Sequence, residues 1–228
     1  MPDVKGRKRY EERIRAAMEE VFAEALAVAS QGIDAINAAI KAALRKYVGP
    51  IVEEVHRRVI IALLILFGDD DIGRGVLGDA PKKKGPIYDD LVTQAKRRAQ
   101  DQIDTLGDQM SDTNRSWLEE WDEEEPFEEW AKDRLFPESR AENISVTETT
   151  NAVTIGEGTV VETMRELGVG VTARWITKRD ERVCPVCGPL HNTGPANWAD
   201  DFAKGPPAHP RCRCYLLYVL SEQAGGSI

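Results

Sequence analysis

Apolar positions recur at intervals of three and four through the first 67 residues, and that spacing predicts helices. Ile14, Met18, Val21, Phe22, Ala25 and Leu26 form one stripe. The pattern weakens around Ser30–Gly32 and resumes with Ile33, Ile36, Ile40, Ala43, Leu44 and Tyr47. Gly49 is expected to end that helix and Pro50 to open the next, which carries Ile51, Val52, Val55, Val59, Leu63, Leu66 and Phe67. The second half of this third helix is apolar all round, as in a core helix of a bundle; the other reading is a helix that touches a membrane or a partner. Its apolar run, Val59 to Phe67, is the longest in the chain at nine residues, and crossing a bilayer takes about 20.

Residues 68–87 (GDDDIGRGVLGDAPKKKGPI) break the pattern with five glycines and two prolines, and predict a linker. Asp69–Asp71 lack the spacing and terminal Glu of a calcium loop. Tyr88 to Met110 is again periodic, through Leu91, Ala95, Ala99, Ile103 and Leu106. Pro126 is expected to open a short helix holding Phe127, Trp130 and Leu135. Ser139-Arg-Ala-Glu142 matches a capping box, so a helix should start there and run through Glu148 and Thr163 to Leu167, with Gly168 as its stop. The β-branched stretch ISVTETTNAVTI inside it argues for strand, and the cap outweighs it. Val171–Thr177 and Cys212–Leu220 alternate and should pair as an antiparallel sheet.

The expected class is α+β, mostly α: an N-terminal helical region, then a small C-terminal domain with a helix, a short antiparallel sheet and a zinc-knuckle-like Cys/His site. The division runs 1–67 helical bundle or arm, 68–87 linker, 88–138 helical and acidic, and 139–228 C-terminal domain.

Charge changes this picture at one place. The net charge is −9, yet residues 1–100 hold 18 Lys+Arg against 15 Asp+Glu. Residues 101–140 hold 4 against 14, and eight of the twelve residues in EEWDEEEPFEEW (119–130) are acidic. Such a run is a solvated face pinned by its tryptophans, or a docking segment for a basic partner. The overall acidity argues against broad coating of nucleic acid. The basic N-terminus lacks the apolar core of a signal peptide, so a reducing cytoplasm is expected.

All four cysteines lie within residues 184–214. Cys184-Pro-Val-Cys187-Gly188 is a tight knuckle, and His209-Pro-Arg-Cys212-Arg-Cys214 follows it. Two such clusters suit a tetrahedral zinc ion, which takes four ligands. Five candidates compete for four places: Cys184, Cys187, His209, Cys212 and Cys214. The set Cys184, Cys187, His209 and Cys212 is preferred, with Cys214 as the alternative fourth ligand. A site filled by four protein ligands stabilises and leaves no open position for catalysis. The competing readings are a Cys-Pro-x-Cys redox pair, a Cys–His nucleophile and two disulfides. His191 is expected as an ordinary loop histidine and His56 as a structural one. No phosphate-binding loop, dinucleotide fingerprint or serine elbow is present, and no enzyme is expected.

The segments Arg140-Ala-Glu142, Thr147-Glu148-Thr149, Trp175 to His191 and Pro206 to Cys214 together resemble the phage Mu F-like minor head proteins, also called the phage head morphogenesis family, over about residues 139–220. The resemblance implies a structural minor capsid protein of a tailed phage or prophage. It would sit inside the virion head near the portal vertex, after assembly in the host cytoplasm. Its partners would be the portal and other head proteins, with contact to packaged DNA and none to membrane. It would assist head assembly and DNA packaging or ejection. Glu148 and Asp180 match family positions and would support the site or cap an element. The alternative is a zinc-ribbon module that binds nucleic acid through Arg179, Arg182, Arg211 and Arg213. Residues 171–228 carry 7 basic against 5 acidic side chains, which weakens that reading.

Overall fold

The computed structural model describes residues 6–69, 86–178 and 183–221. Helix α1 (Arg7–Leu26) buries the expected stripe, Ile14, Met18, Val21, Phe22 and Ala25. A short 3₁₀ turn, Ala29–Gln31, follows. Gly32, with φ 92°, then redirects the chain into α2 (Ile33–Ala43); an L side chain would be strained there.

The expected stop at Gly49 does not occur. A π turn, Leu44–Val48, joins α2 to α3 (Gly49–Asp69), and Gly49 keeps right-handed helical dihedrals. Its N–H reaches the carbonyl of Leu44, five residues back. Pro50 has no N–H and its ring crowds the carbonyl four residues before it, so the turn ahead of it widens without ending the helix.

Helix α4 (Pro86–Leu118) runs past the expected end at Met110. The stripe Leu91, Ala95, Ala99, Ile103, Leu106 and Met110 is continued by buried polar side chains. Ser111 Oγ donates to the Gly107 carbonyl, and Asn114 Nδ2 donates to Asn37 Oδ1 at 2.9 Å. Hydrophobic periodicity does not register such positions. Of the expected linker, residues 70–85 lie outside the described residues.

After the acidic run come a one-turn helix α5 (Phe127–Trp130) and a second π turn, Ala131–Leu135. Trp121, Phe127 and Trp130 pack together with ring centroids 5.1 to 6.2 Å apart. Arg140 fastens this region to the body: it donates to the Leu135 carbonyl and to Asn114 Oδ1, and lies 4.7 Å from the Trp117 ring centroid. Burial pulls its guanidinium down to about 10.

Helix α6 (Glu138–Glu166) is the axis of the fold and contacts α1, α3 and α4. The expected capping box does not form, because the N-cap is Pro137, two residues before Ser139, and Glu142 pairs with Arg211 instead. The expected stop does form. Gly168 adopts φ 86°, its N–H bonds the Arg165 carbonyl, and Val169 N–H bonds the Met164 carbonyl. That reciprocal pair is a Schellman closure. Strands β1 (Gly170–Ile176) and β2 (Tyr215–Ser221) pair antiparallel, with Ala173 opposite Tyr218 and Trp175 opposite Leu216. β2 starts later than expected, so Cys212 and Cys214 precede the strand. Arg211 at φ 62° turns the chain there.

The helices bury one large apolar core, which extends to Val169 and Val171. A second, small cluster consists of Ala173, Trp175, Cys187, Trp198, Cys212, Cys214 and Leu216. The described residues are thus predominantly helical with one two-stranded sheet, and Cys187, Cys212 and Cys214 belong to the small cluster, with Cys184 packed against it. No helix among the described residues is long and apolar enough to cross a membrane.

Candidate metal centre

The knuckle is built by local hydrogen bonds. Cys187 N–H donates to Cys184 Sγ at 3.2 Å, and Gly188 N–H to the Cys184 carbonyl at 3.0 Å. Leu190, His191 and Thr193 continue the succession of turns.

The second cluster folds onto this knuckle. His209 Nε2 lies 3.0 Å from Cys184 Sγ and 3.3 Å from Cys187 Sγ. Its other nitrogen, Nδ1, faces the Pro210 carbonyl at 2.8 Å. A carbonyl only accepts, so Nδ1 carries the proton and Nε2 points its lone pair at the sulfurs. That is the tautomer a metal-ligating imidazole requires. Cys187 Sγ is 3.8 Å from Cys212 Sγ. Two groups therefore converge with their ligand atoms within 4.8 Å, Cys184–Cys187–His209 and Cys187–Cys212–Cys214, and Cys187 belongs to both.

Electrostatics divides the thiols. Cys212 is pulled down to about 5, first by the Cys214 S–H bonded to it, with help from backbone N–H donors and the nearby His209. Cys214, the donor in that bond and buried as well, is pushed up. Burial and the Cys212 charge push Cys187 up to about 12. A cation among these sulfurs would reverse the upward shifts, because thiolates bind metal and thiols do not. No disulfide links the four cysteines.

Helix α6 anchors the loop that carries His209 and Cys212. Thr150 Oγ1 donates to the Cys212 carbonyl at 2.6 Å and receives an N–H from the buried Arg7 at 2.5 Å. Thr147 Oγ1 accepts the Arg211 backbone N–H at 2.9 Å, and Glu142 takes the Arg211 guanidinium at 2.6 Å. Sequence reasoning missed Arg7 and Thr150. The β-branched threonines inside a helix were their only trace.

All five candidate ligands are thus brought together. Glu148 is not with them: it is buried in the helical core, where Gln102 Nε2 donates to its carboxylate at 2.8 Å. The Gln102 carbonyl in turn faces His56 Nε2 at 3.0 Å. Burial raises Glu148, and burial lowers His56 to about 4. His56 is therefore a structural core residue. His191 also stays out of the centre, since its Nδ1 accepts the Thr177 N–H at 3.1 Å. Asp180, Arg179 and Arg182 lie outside the described residues. Arg211 is engaged with Glu142, and Arg213 is not free.

A protein-family model described as phage Mu protein F like protein matches residues 89–217, more than half of the 228-residue chain. The match begins in α4, well before the expected boundary near residue 139. The Gln102–Glu148 and Asn114–Arg140 bonds explain why α4 and α6 form one unit. Neither curated proteins nor solved structures return a match.

Proposed function

Because the chain belongs to the phage Mu protein F-like family, we propose that it is a structural minor component of a tailed-phage head with a closed structural zinc site. In this reading it assembles in the host cytoplasm. It then resides in the virion head near the portal vertex and helps head assembly and DNA packaging or ejection. Its partners are the portal and other head proteins. The single observation that carries the reading is the family match, which runs through α4, α6, both strands and both cysteine clusters.

The chemistry of the donors suits zinc, and they converge as two triads that share Cys187. A tetrahedral ion with Zn–S arms of about 2.3 Å has a sulfur–sulfur edge of about 3.8 Å, and the Cys187–Cys212 separation is 3.8 Å. Cys184, Cys187, His209 and Cys212 would hold the ion, with Cys214 donating its S–H to the Cys212 sulfur or replacing a ligand. The metal would supply folding energy, and no open coordination position would remain for water. The centre is read as structural and not catalytic. The nucleic-acid alternative loses Arg211 to Glu142.

Two measurements test the proposal. Protein purified without metal-affinity steps should carry one zinc per chain, with thiols that react only after a chelator is added. Metal-free protein with reactive thiols would overturn the zinc centre. The chain should also copurify with the portal when both are expressed together, and should be found in purified particles by mass spectrometry. Its absence from particles would overturn the virion assignment.

A further inference from the structure

Between α4, α6 and the sheet lies a cleft of about 680 Å³, within the usual range for small-molecule sites. In a chain of net charge −9, this cleft gathers four cations: Arg97 and Arg98 from α4, Arg165 from α6, and Lys204 from the loop before β2. Arg98 is paired with Glu162 at 2.5 Å, and Arg165 donates to the Val171 carbonyl at 3.0 Å. Among the described residues Arg97 and Lys204 make no ion pair, and both are exposed. Two carboxylates, Asp101 and Glu162, share the wall.

This mixture is selective. Guanidinium and ammonium groups match phosphate oxygens. Ionised carboxylates only accept hydrogen bonds, so a ligand beside them must bring hydroxyl donors. A bare polyanion would be repelled by Asp101 and Glu162. Two further features leave room for a ligand. Gly158 lines the cleft, and a Cβ there would meet nothing within 4 Å. Thr154 also lines it, with a buried Oγ1 that has no hydrogen-bond partner.

We propose that this cleft binds a small phosphate ester carrying vicinal hydroxyls, of the size of a sugar phosphate or a mononucleotide. The phosphate sits at Arg97 and Lys204, and the hydroxyls face Asp101 and Glu162. The site uses none of the five candidate metal ligands, although Lys204 and Trp198 come from the lobe that carries them.

Isothermal titration of the full chain at low salt tests this with ribose 5-phosphate, AMP and inorganic phosphate as probes. Saturable binding is expected for the first two at micromolar to millimolar concentration, and weaker binding for inorganic phosphate. Binding by ribose 5-phosphate alone identifies the sugar phosphate as the recognised unit, and tighter binding of AMP adds a subsite for the base. Arg97→Glu and Lys204→Glu should each weaken binding by about tenfold, the worth of one charge-assisted hydrogen bond. Gly158→Leu should fill the cleft and abolish binding while leaving the melting temperature unchanged or raised, since glycine is a poor helix former. Three outcomes overturn the proposal: no saturation with either ester, binding that these variants leave unchanged, or tighter binding of a short single-stranded DNA than of either ester.

Discussion

The helical body and the cysteine lobe are stabilised by different means. The body buries a continuous apolar core drawn from α1 to α4 and α6. The apolar cluster of the lobe has seven buried residues among those described, and three of them are cysteines. A cluster that small cannot offset the conformational entropy of the loops around it by apolar burial alone. The body needs no ion to hold its helices, whereas under the proposed zinc site the lobe would owe its order to what its sulfurs bind. The difference separates what hydrophobic burial can do in this chain from what coordination chemistry has to do.

The largest expected effect is metal removal. Chelation, or Cys187→Ser at the residue shared by both ligand groups, should unfold the lobe and spare the body. Apparent binding energies of structural zinc are on the order of 10 kcal/mol. Tryptophan fluorescence should change, because Trp175 packs edge-on against Trp198 at 5.7 Å within the lobe. Far-ultraviolet circular dichroism should keep its helical signal. Simultaneous loss of both signals would show that the two regions are one cooperative unit. Cys214→Ser should retain the ion, in contrast to Cys187→Ser.

The converse cut is Ile40→Ala. Ile40 is fully buried in α2, and removing such a side chain costs about 2–5 kcal/mol through lost transfer energy and the cavity left behind. Thermal unfolding of the body should shift down by that amount, while zinc stoichiometry stays at one. Loss of zinc in this variant would erase the distinction between the regions.

A smaller effect separates them by pH. Glu157 lies fully buried in the body and is pushed up to about 8 by that burial. A carboxyl whose folded value is raised binds its proton more tightly folded than unfolded, so its contribution is greatest at low pH and falls as pH rises toward 8. His56 has the opposite sign. Burial lowers it to about 4, so its contribution is lost as pH falls below about 6.5. Between pH 6.5 and 8 the trend left is that of the buried carboxyls, Glu148 being raised in the same direction, and the Glu157 share is worth up to about 2 kcal/mol. Urea titrations should show body stability declining over that window, and Glu157→Gln should flatten the decline. An unchanged slope in the variant would assign the decline to another group.

How much of this was legible in the sequence follows the same division. The apolar stripes of α1 to α4 are visible because a buried helix face repeats at a helical period. Gly168 was legible because a helix stop needs a left-handed residue. The five candidate ligands were legible because coordination restricts residue type and spacing. Features that depend on a distant partner were hidden. Glu142 completes a capping box on paper, yet Arg211 draws it away from the helix start. Asn114 carries α4 past Met110 because α2 and α6 supply Asn37 and Arg140 as its partners. Pro50 reads as a helix start in isolation, but packing carries the chain through it with a π turn.

The last prediction concerns the seam where the two regions meet. Thr150 on α6 is the hinge point, since its hydroxyl donates to the Cys212 carbonyl and receives the Arg7 guanidinium. Thr150→Val keeps the shape and removes both bonds. It leaves a buried carbonyl and a buried guanidinium short of one partner each, at a cost of about 1–3 kcal/mol. If the body merely supports the lobe, that cost should fall on the body alone, and chelator competition should give an unchanged zinc affinity. If α6 orients the metal loop, zinc affinity should drop by about tenfold, as when an outer-shell partner of a metal ligand is lost. The bond ends on the backbone of a proposed ligand, and Arg211 next to it is held by Thr147 and Glu142 of the same helix. The second outcome is therefore expected. It would mean that the body, though stable without metal, sets how tightly the lobe binds its ion.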